Sequence, residues 1–281
     1  MNRKRAAALG RETVEILKRG RYVSAGGRQV WIRDEVEAAV DATLSYPPGS
    51  SVHRIPAAEH KTVIEVVNET SLEAARRLTL RPDRAPEDAE VAILNFASAK
   101  NPGGGFLSGS RAQEESLARS SGLYAALEGN EMYELHRSRR DAVYTDYAIY
   151  SPGVPVFRDD EGALLDEPYR CAFVTSPAAN AKAALRHNRR RGPEIEKAMR
   201  ARIHKVLAIA AFHGHDTYVL GAWGCGAFGN DSEVIAALFR DALGPGGFAG
   251  VFRHVVFAII DWSNERRFLG PFARAFGKPV T

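Results

Sequence analysis

The feature that most restricts the fold of this chain is an alternation of short apolar runs with longer amphipathic segments. Each apolar run has the length of one strand and is apolar at almost every position, so both of its faces must be buried. The segments between the runs have the apolar spacing of helices packed on a core. The predicted strands are 62–67, 91–95, 171–175, 217–220 and 254–260, and the predicted helices are 71–80, 113–127, 194–212 and 232–243. This pattern predicts an α/β sheet covered by helices on both faces.

The length of the chain, 281 residues, fits one large domain or two small ones. A chain of this length buries enough surface on folding to need no disulfide or metal for its stability. Its two cysteines, Cys171 and Cys225, are far apart in sequence and match neither a disulfide framework nor a zinc ligand set. We therefore expect no metal and no cofactor.

The first 60 residues have a different apolar pattern from the rest of the chain. Residues 6–18 and 33–44 have the pattern of two surface helices, and the second ends before Pro47-Pro48. We expect residues 1–60 to form a helical accessory segment packed on a core of residues 61–281. The two parts are expected to make a single structural unit.

Hydropathy and charge restrict where the protein acts and what it binds. The basic start lacks the apolar stretch of a signal peptide, and no window approaches the apolar length of a membrane span. These features predict a cytoplasmic protein with no membrane partner. The formal net charge of +4 is compatible with a polyanionic partner and also with a simple role in solubility.

Three consecutive glycines, Gly103 to Gly105, follow the strand predicted to end at Asn95. Glycine costs backbone entropy on folding, so the use of a triplet is geometric. Without side chains, the backbone can approach a ligand and direct its amides toward it. A flexible surface turn is the competing interpretation.

A doubled acid, Glu114-Glu115, opens the helix that follows the triplet. A carboxylate in the first turn of a helix meets unpaired amides and the positive end of the helix dipole, so helix capping is the simpler interpretation. The position favours a functional one, because ligands bind α/β sheets at the carboxyl ends of strands. The strand, the glycine triplet and the doubled acid form one continuous segment at such an end.

A second glycine-rich loop, residues 221–231, lies between the predicted strand 217–220 and a helix that begins near Ser232. Backbone amides bind a phosphate or diphosphate in this arrangement of strand, loop and helix N-terminus. The loop is not a Walker A motif, and its Gly224-x-Gly226-x-x-Gly229 lacks the context of a dinucleotide fold. Together, the two loops predict a diphosphate held between two glycine turns.

The two loops resemble the signature of the poly(ADP-ribose) glycohydrolase family. Residues 101–105 (Asn-Pro-Gly-Gly-Gly), seven further residues and residues 113–115 (Gln-Glu-Glu) match the pattern GGG-x(6–8)-QEE, and residues 221–230 are similar to the family's diphosphate loop. The likeness covers residues 60–265, and the N-terminal layer and the length are similar to the bacterial type. It implies a three-layer α/β/α macrodomain with a mixed central sheet and an N-terminal helical accessory layer.

The resemblance also implies roles for individual residues. Glu115 matches the catalytic acid of the family and Glu114 its partner acid. The first loop is expected beside the ribose at the cleaved bond, and the second over the diphosphate, with Phe228 against the distal ribose. An acidic segment after the first core strand is expected at the adenine. The implied ADP-ribose-binding residues are Asn101, Gly103, Gly104, Gly105, Gln113, Gly224, Gly226, Ala227, Phe228, Gly229, Glu69 and Thr70.

The implied reaction is hydrolysis of the ribose–ribose O-glycosidic bond of poly(ADP-ribose). Its transition state is oxocarbenium-like, and a positioned acid protonates the leaving oxygen. We assign this role to Glu115, which must be protonated at neutral pH and then activates water as a base. Adjacent helical side chains point about 100° apart, so Glu114 is expected to hold a ribose hydroxyl instead. The tyrosine clasp of the longer animal enzymes has no counterpart in the sequence, which favours release of ADP-ribose from the polymer end.

Several other features have both a structural and a functional interpretation. His213-Gly-His215 predicts a helix-to-strand turn rather than a metal site, and Cys225 a buried thiol rather than a nucleophile. The segment 261–264 predicts a turn that ends the sheet, or else a rim of the adenine pocket. The segment between Lys182 and Lys205 is rich in basic residues and is either a solvated face or a track for the phosphates of the polymer.

Three other functions compete with hydrolysis of the polymer. A macrodomain that only binds ADP-ribose does not need a carboxylate at the distal ribose. A hydrolase of single ADP-ribose groups on proteins or nucleic acid shares most of the implied site. A basic nucleic-acid binder would show a recognisable motif, and the sequence contains none. The expected partners are therefore poly(ADP-ribose), ADP-ribose and ADP-ribosylated proteins, without recognition of a specific DNA or RNA sequence.

Overall fold

A computed structural model of the chain describes residues 1–52, 55–81 and 90–278. Its strands are β1 (Arg21–Val23), β2 (Gln29–Trp31), β3 (Leu44–Tyr46), β4 (Val63–Val67), β5 (Ala92–Phe96), β6 (Ala148–Arg158), β7 (Leu164–Ser176), β8 (Thr217–Leu220) and β9 (His254–Ala258). Its helices are α1 (Arg3–Arg19), α2 (Arg33–Asp41), α3 (Ser71–Thr79), α4 (Gln113–Ser120), α5 (Leu123–Leu127), α6 (Glu131–Ser138), α7 (Ala181–His187), α8 (Gly192–Phe212), α9 (Ser232–Leu243) and α10 (Leu269–Ala275). Within the described ranges, no helix has both the length and the apolar character needed to cross a bilayer.

The predicted mixed central sheet is confirmed. In the described part of the chain it has seven strands in the order β3-β6-β7-β5-β8-β9-β4. The strands from β7 to β4 are parallel to one another, whereas β6 is antiparallel to β7 and β3 is antiparallel to β6. Each of the five strands predicted from apolar runs is present. The parallel strands therefore place their carboxyl ends at one edge of the sheet.

Helices cover both faces of the sheet, as predicted. Along β5, Ala92 and Leu94 pack into the core that α8, α9 and α10 form on one face. Ile93, between them, packs into the core that α3 to α6 form on the other face. This alternation follows from the pleat of the strand, whose successive side chains point to opposite faces. The architecture is thus the expected three-layer α/β/α arrangement.

The predicted helix 113–127 is wrong in one respect, because the structure divides it into α4 and α5. At the break, Ser121 has extended backbone angles and forms an isolated bridge with Val156. The next amide, that of Gly122, donates to the carbonyl of Pro155 at 2.9 Å. Pairing with β6 thus replaces helical hydrogen bonds at this point, which the apolar spacing alone does not reveal.

The first 60 residues contain the two predicted helices and also three short strands that the sequence did not predict. β1 and β2 form a hairpin, and β3 pairs with β6 at the edge of the central sheet. α1 packs on α4 and on the 3-10 turn Phe106–Ser108. The segment is therefore not purely helical, and a boundary at residue 60 stays a prediction.

Candidate active site

A cavity of about 610 Å³ opens at the carboxyl edge of the sheet. Its walls come from the segments that follow β4, β5, β8 and β9 and from the first turn of α4. Because these strands are parallel and adjacent, chain segments far apart in sequence meet there, which is the usual location of ligands in such sheets. The lining includes both members of the doubled acid.

Glu114 is almost completely buried, with 3% of its surface exposed. Its Oε2 accepts a hydrogen bond of 2.6 Å from the amide of Ser98. Burial raises the pKa of Glu114 well above its ordinary value, and the neighbouring Glu115 raises it further, against hydrogen bonds that favour the charged form. The side chain of Asn95 also interacts with Glu114, and the Oε1 of Glu114 and the Oδ1 of Asn95 are buried without a donor in the described chain.

Glu115 lies beside Glu114 on the cavity wall, and one of its carboxylate oxygens is held in place. Its Oε1 accepts a hydrogen bond of 2.9 Å from the amide of Gly105. Its Oε2 is buried and has no hydrogen-bond partner among the described residues. A buried oxygen of this kind on a cavity wall is available to a ligand.

The glycine triplet is shaped around these two acids. Gly103 and Gly104 have φ values of +67° and +60°, in the left-handed region that favours glycine. A Cβ on Gly104 would overlap Oε1 of Glu115 and lie 2.9 Å from Oε2 of Glu114. The triplet thus lets the backbone pass against both carboxylates while the amide of Gly105 binds one of them.

Gln113 connects the start of α4 to the end of β5. Its Oε1 accepts from the amide of Phe96 at 2.9 Å, and its Nε2 donates to the carbonyl of Leu94 at 2.7 Å and to Ser71 Oγ at 3.2 Å. These bonds use both polar atoms of the amide within the protein. Gln113 therefore positions the doubled acid, and its contact with ADP-ribose stays a prediction.

The second glycine-rich loop forms another part of the cavity wall. Gly224 has a φ of +77°, and a Cβ there would lie 2.6 Å from Ala178 Cβ and from Asn230 Nδ2. Asn230 holds the loop by donating from Nδ2 to the carbonyls of Ala179, at 2.8 Å, and Gly224, at 3.0 Å. Gly226, by contrast, faces open space. At its two glycines the loop thus presents backbone without side chains to the cavity, just before α9.

A further part of the cavity wall is built by residues after β4 and β9. Glu69 pairs with Arg77 at 2.6 Å, and Thr70 caps α3. Asp261 accepts hydrogen bonds from Ser263 and from the amides of Phe268 and Leu269, which lower its pKa to about 2 despite its burial. Asp261 therefore organises a turn at the end of the sheet, the simpler of the two interpretations of this segment.

The chain resembles a known family in sequence and in fold. The family model "Microbial-type PARG, catalytic domain" matches residues 10–159. The solved structure of poly(ADP-ribose) glycohydrolase (PARG) from Thermomonospora curvata is 51% identical to the chain, covering 98% of this chain and 100% of that chain with a TM-score of 0.88. The chain belongs to the microbial-type PARG family.

Two further PARG structures are similar to this chain and were solved with ligands. One is the Thermomonospora curvata enzyme bound to the inhibitor ADP-HPD, with 51% identity, coverage of 97% of this chain and 99% of that chain, and a TM-score of 0.87. The other is PARG from Deinococcus radiodurans in complex with ADP-ribose, with 41% identity, coverage of 86% and 96%, and a TM-score of 0.78. No curated protein matches the chain.

The structure brings most of the residues predicted for a PARG site to one cavity. The predicted residues that line it are Glu69, Thr70, Gln113, Glu114, Glu115, Gly224, Gly226, Ala227 and Phe228. Asn101, Gly103, Gly104, Gly105 and Gly229 are not part of the lining. The triplet contacts the carboxylates of Glu114 and Glu115 without lining the cavity, so we expect it to affect a ligand through the position of these carboxylates.

Sequence reasoning missed several residues of this PARG cavity, among them Asp160 and Arg111. Asp160 lies in the turn between β6 and β7 and accepts a hydrogen bond of 2.6 Å from Thr70 Oγ1. Burial raises its pKa to about 6. Arg111 lies in the variable spacer of the glycine and acid signature, whose residue types the pattern does not specify, and no motif surrounds Asp160. Only the folding of the β6–β7 hairpin over the core places Asp160 there.

The weaker sequence signals have structural explanations. His213 caps α8 and His215 precedes β8, so the predicted turn is confirmed. Cys225 is a buried free thiol whose pKa is raised to about 12 by burial, which agrees with the interpretation of an inert side chain. In the described part of the chain, no group of three His, Cys, Asp or Glu side chains is arranged to hold a metal ion.

Proposed function

We propose that the protein is a poly(ADP-ribose) glycohydrolase that hydrolyses ribose–ribose O-glycosidic bonds and releases ADP-ribose. The observation that carries the proposal is a pair of carboxylates, the buried Glu114 and the half-buried Glu115, in the wall of a cavity that is also lined by a glycine-rich loop at a helix N-terminus. The loop suits the diphosphate of ADP-ribose. The carboxylates suit acid–base chemistry at the ribose beyond it.

In the proposed reaction, Glu115 is the general acid and then the general base. Its carboxyl gives a proton to the leaving ribose oxygen as the bond from that oxygen to the anomeric carbon breaks. Water then attacks the anomeric carbon and returns a proton to the Glu115 carboxylate.

Glu114 is proposed to orient the ribose rather than to transfer the proton. Burial and the neighbouring Glu115 raise its pKa, which favours its neutral form. A neutral Glu114 places no second negative charge beside Glu115, and it can hold a ribose hydroxyl by a hydrogen bond. The hydrogen bond from Ser98 fixes the carboxyl group for this task.

We further propose that the enzyme removes ADP-ribose from the end of the polymer. A cavity of about 610 Å³ falls in the range of sites for one small ligand. One ADP-ribose unit with a free far end fits such a cavity more simply than an internal unit with chain on both sides. ADP-ribosylated proteins would then be the partners, and a cytoplasmic location agrees with two cysteines that are free and buried.

The test is incubation with labelled poly(ADP-ribose) and, separately, with an acceptor protein that carries single ADP-ribose groups. The proposal predicts that free ADP-ribose is the only product released from the polymer, without free oligomers, and that nothing is released from the singly modified acceptor. Release of free oligomers of several units would overturn the end preference alone. Binding of ADP-ribose without any release would show a binding module, and release from the singly modified acceptor would show the other hydrolase.

A further inference from the structure

The basic segment between β7 and α8 lies at the same edge of the sheet as the cavity. β7 runs parallel to β5 and ends at Ser176, and α8 carries the chain back to the start of β8. The connection between them contains α7 and the 3-10 turn Arg189–Arg191. It therefore lies at the carboxyl ends of the strands, next to the cavity mouth.

The first turn of α7 is in contact with the wall of the cavity. The amide of Lys182 donates a hydrogen bond of 2.8 Å to the carbonyl of Phe228, which lines the cavity. A Cβ on Gly229, the next residue of the loop, would lie 3.2 Å from Lys182 Cβ. The basic segment thus begins directly beside the residue expected against the distal ribose.

This end of the cavity is also the end that holds the acids. The ring of Tyr144 packs between the rings of Phe228 and His136 of α6, with centroids 6.2 Å and 5.6 Å away. Arg137, the next residue of α6, donates to the carbonyl of Lys100 at 2.7 Å, two residues after Ser98, which binds Glu114. The segment therefore starts on the side from which the leaving part of the substrate departs.

Four exposed cations of this segment have no acidic partner in the part of the chain that the structure describes. They are Lys182, Arg186, Arg189 and Arg190. Their neighbour Arg191 is different, because it pairs with Asp141 at 2.8 Å and with Glu194 at 2.7 Å. Lys182 and Arg186 are four residues apart, so they lie on one face of α7, about 6 Å apart along its axis. Arg189 and Arg190 follow in the 3-10 turn, so the four cations, here called the row, succeed one another along the chain from the residue beside the cavity wall.

We propose that this row, Lys182, Arg186, Arg189 and Arg190, binds the diphosphate of the ADP-ribose unit on the leaving side of the scissile bond. The inference rests on the proposed function, because only a polymeric substrate has such a unit. Each unit carries two phosphate charges, and unpaired cations at the mouth of the cavity offer matching charges. Monomeric ADP-ribose, which ends at the distal ribose, does not reach the row.

The test compares two variants that each lose four positive charges. The row variant replaces Lys182, Arg186, Arg189 and Arg190 by Ala, and the control variant replaces Lys18, Arg19, Arg28 and Lys61, which are exposed and outside the cavity lining. A third variant changes the three arginines of the row to Lys and keeps the charge. The readouts are kcat and KM on labelled poly(ADP-ribose) at several salt concentrations, Kd for ADP-ribose by calorimetry, and the melting temperature.

The row variant is expected to raise KM for the polymer about tenfold and to leave Kd for ADP-ribose equal to that of the wild type. Its affinity for the polymer should depend less on salt, by about 0.7 in the logarithmic slope for each phosphate that the variant no longer binds. The control variant and the charge-keeping variant should behave like the wild type. Equal KM and salt dependence in the row and control variants would overturn this inference alone. A wild type that releases no ADP-ribose from the polymer would overturn the proposed function and this inference with it.

Discussion

At the scale of single residues, Glu114 links the stability of the protein to pH. Its pKa is raised in the folded state by burial and by Glu115. Between the pKa of the unfolded chain and that of the folded protein, the folded protein therefore binds the additional proton. The free energy of unfolding falls as pH rises through this interval, because the unfolded state ionises first. A side chain of the same shape that never ionises would remove this fall in the free energy of unfolding.

The variant Glu114→Gln tests this relation in the ligand-free protein. An amide can accept the hydrogen bond from Ser98, and it stays neutral at every pH. We expect its melting temperature to exceed that of the wild type by several degrees at about pH 8 and to approach it at about pH 3, where Glu114 is protonated in both states. Scanning calorimetry across this range measures the difference. A difference that does not change with pH would mean that Glu114 is ionised in the folded protein.

Gly104 is predicted to be required for the geometry of the acids rather than for folding alone. A Cβ at this position overlaps Glu115, whereas a Cβ on Gly129, with a comparable φ of +77°, meets no atom within 4 Å. Both Gly104→Ala and Gly129→Ala carry the penalty of a left-handed residue, about 1–2 kcal/mol. Only Gly104→Ala should also lower kcat, by at least about tenfold. Urea unfolding and polymer turnover measure the two effects, and an equal kcat in both variants would contradict the assigned role of the triplet.

At the scale of elements, α1 supports the β6–β7 hairpin that brings Asp160 to the cavity. Arg158, at the end of β6, is 2% exposed and pairs with Glu12 of α1 at 3.0 Å. Its other nitrogens donate to the carbonyls of Gly162, in the hairpin turn, and Arg119 of α4. One buried guanidinium thus joins the N-terminal helix, the hairpin and the helix of the acids.

Loss of the partner of this buried cation is expected to destabilise the protein. Glu12→Ala leaves Arg158 without its carboxylate and should lower the free energy of unfolding by about 1–3 kcal/mol. The control is Glu15→Ala on the same helix, which breaks only exposed pairs with Lys18 and Arg19 and should cost less than about 1 kcal/mol. Urea unfolding of both variants gives the comparison. Equal losses would show that the Arg158 pair behaves like a surface pair.

Which elements the sequence could predict depended on how completely a segment was buried. β5 and β8 are short and apolar on both faces, so their patterns reveal them. β6 contains Pro152, Gly153 and Pro155, and its pairing with β7 shifts register between Ser151 and Val154. Such residues weaken the strand pattern and mark an irregularity that only the partner strand defines. The short β3 was missed for a related reason, since its pairing with β6 defines it.

The site divides in the same way. The doubled acid and both glycine loops were visible in the sequence because their residue types and spacing are unusual. The sequence could not predict that the Gln113 amide bonds to the protein backbone or that Asp160 lies at the cavity. Both features depend on contacts between elements far apart in sequence. Local sequence patterns therefore identified the acids and the glycine loops, whereas the contacts that hold them in place are visible only in the tertiary structure.

At the scale of the whole molecule, a net charge of +4 conveys less than the arrangement of the charges. Lys18, Arg19 and Arg191 pair with acidic side chains, whereas the four cations of the row from Lys182 to Arg190 have no acidic partner in the described part of the chain. The fold places this row, the glycine-rich loop and the acids at one edge of one sheet. A substrate that carries a diphosphate in every unit matches that arrangement better than a duplex nucleic acid with its regular backbone.

The central claim is that Glu115 performs acid–base catalysis on poly(ADP-ribose), and Glu115→Gln tests it most directly. The amide keeps the size of the side chain and a hydrogen-bond acceptor for Gly105, but it can neither donate the catalytic proton nor accept one from water. The account predicts that turnover of labelled poly(ADP-ribose) falls by about 10²–10⁴-fold while calorimetry shows ADP-ribose binding close to that of the wild type. Release of ADP-ribose by Glu115→Gln at the rate of the wild type would contradict it.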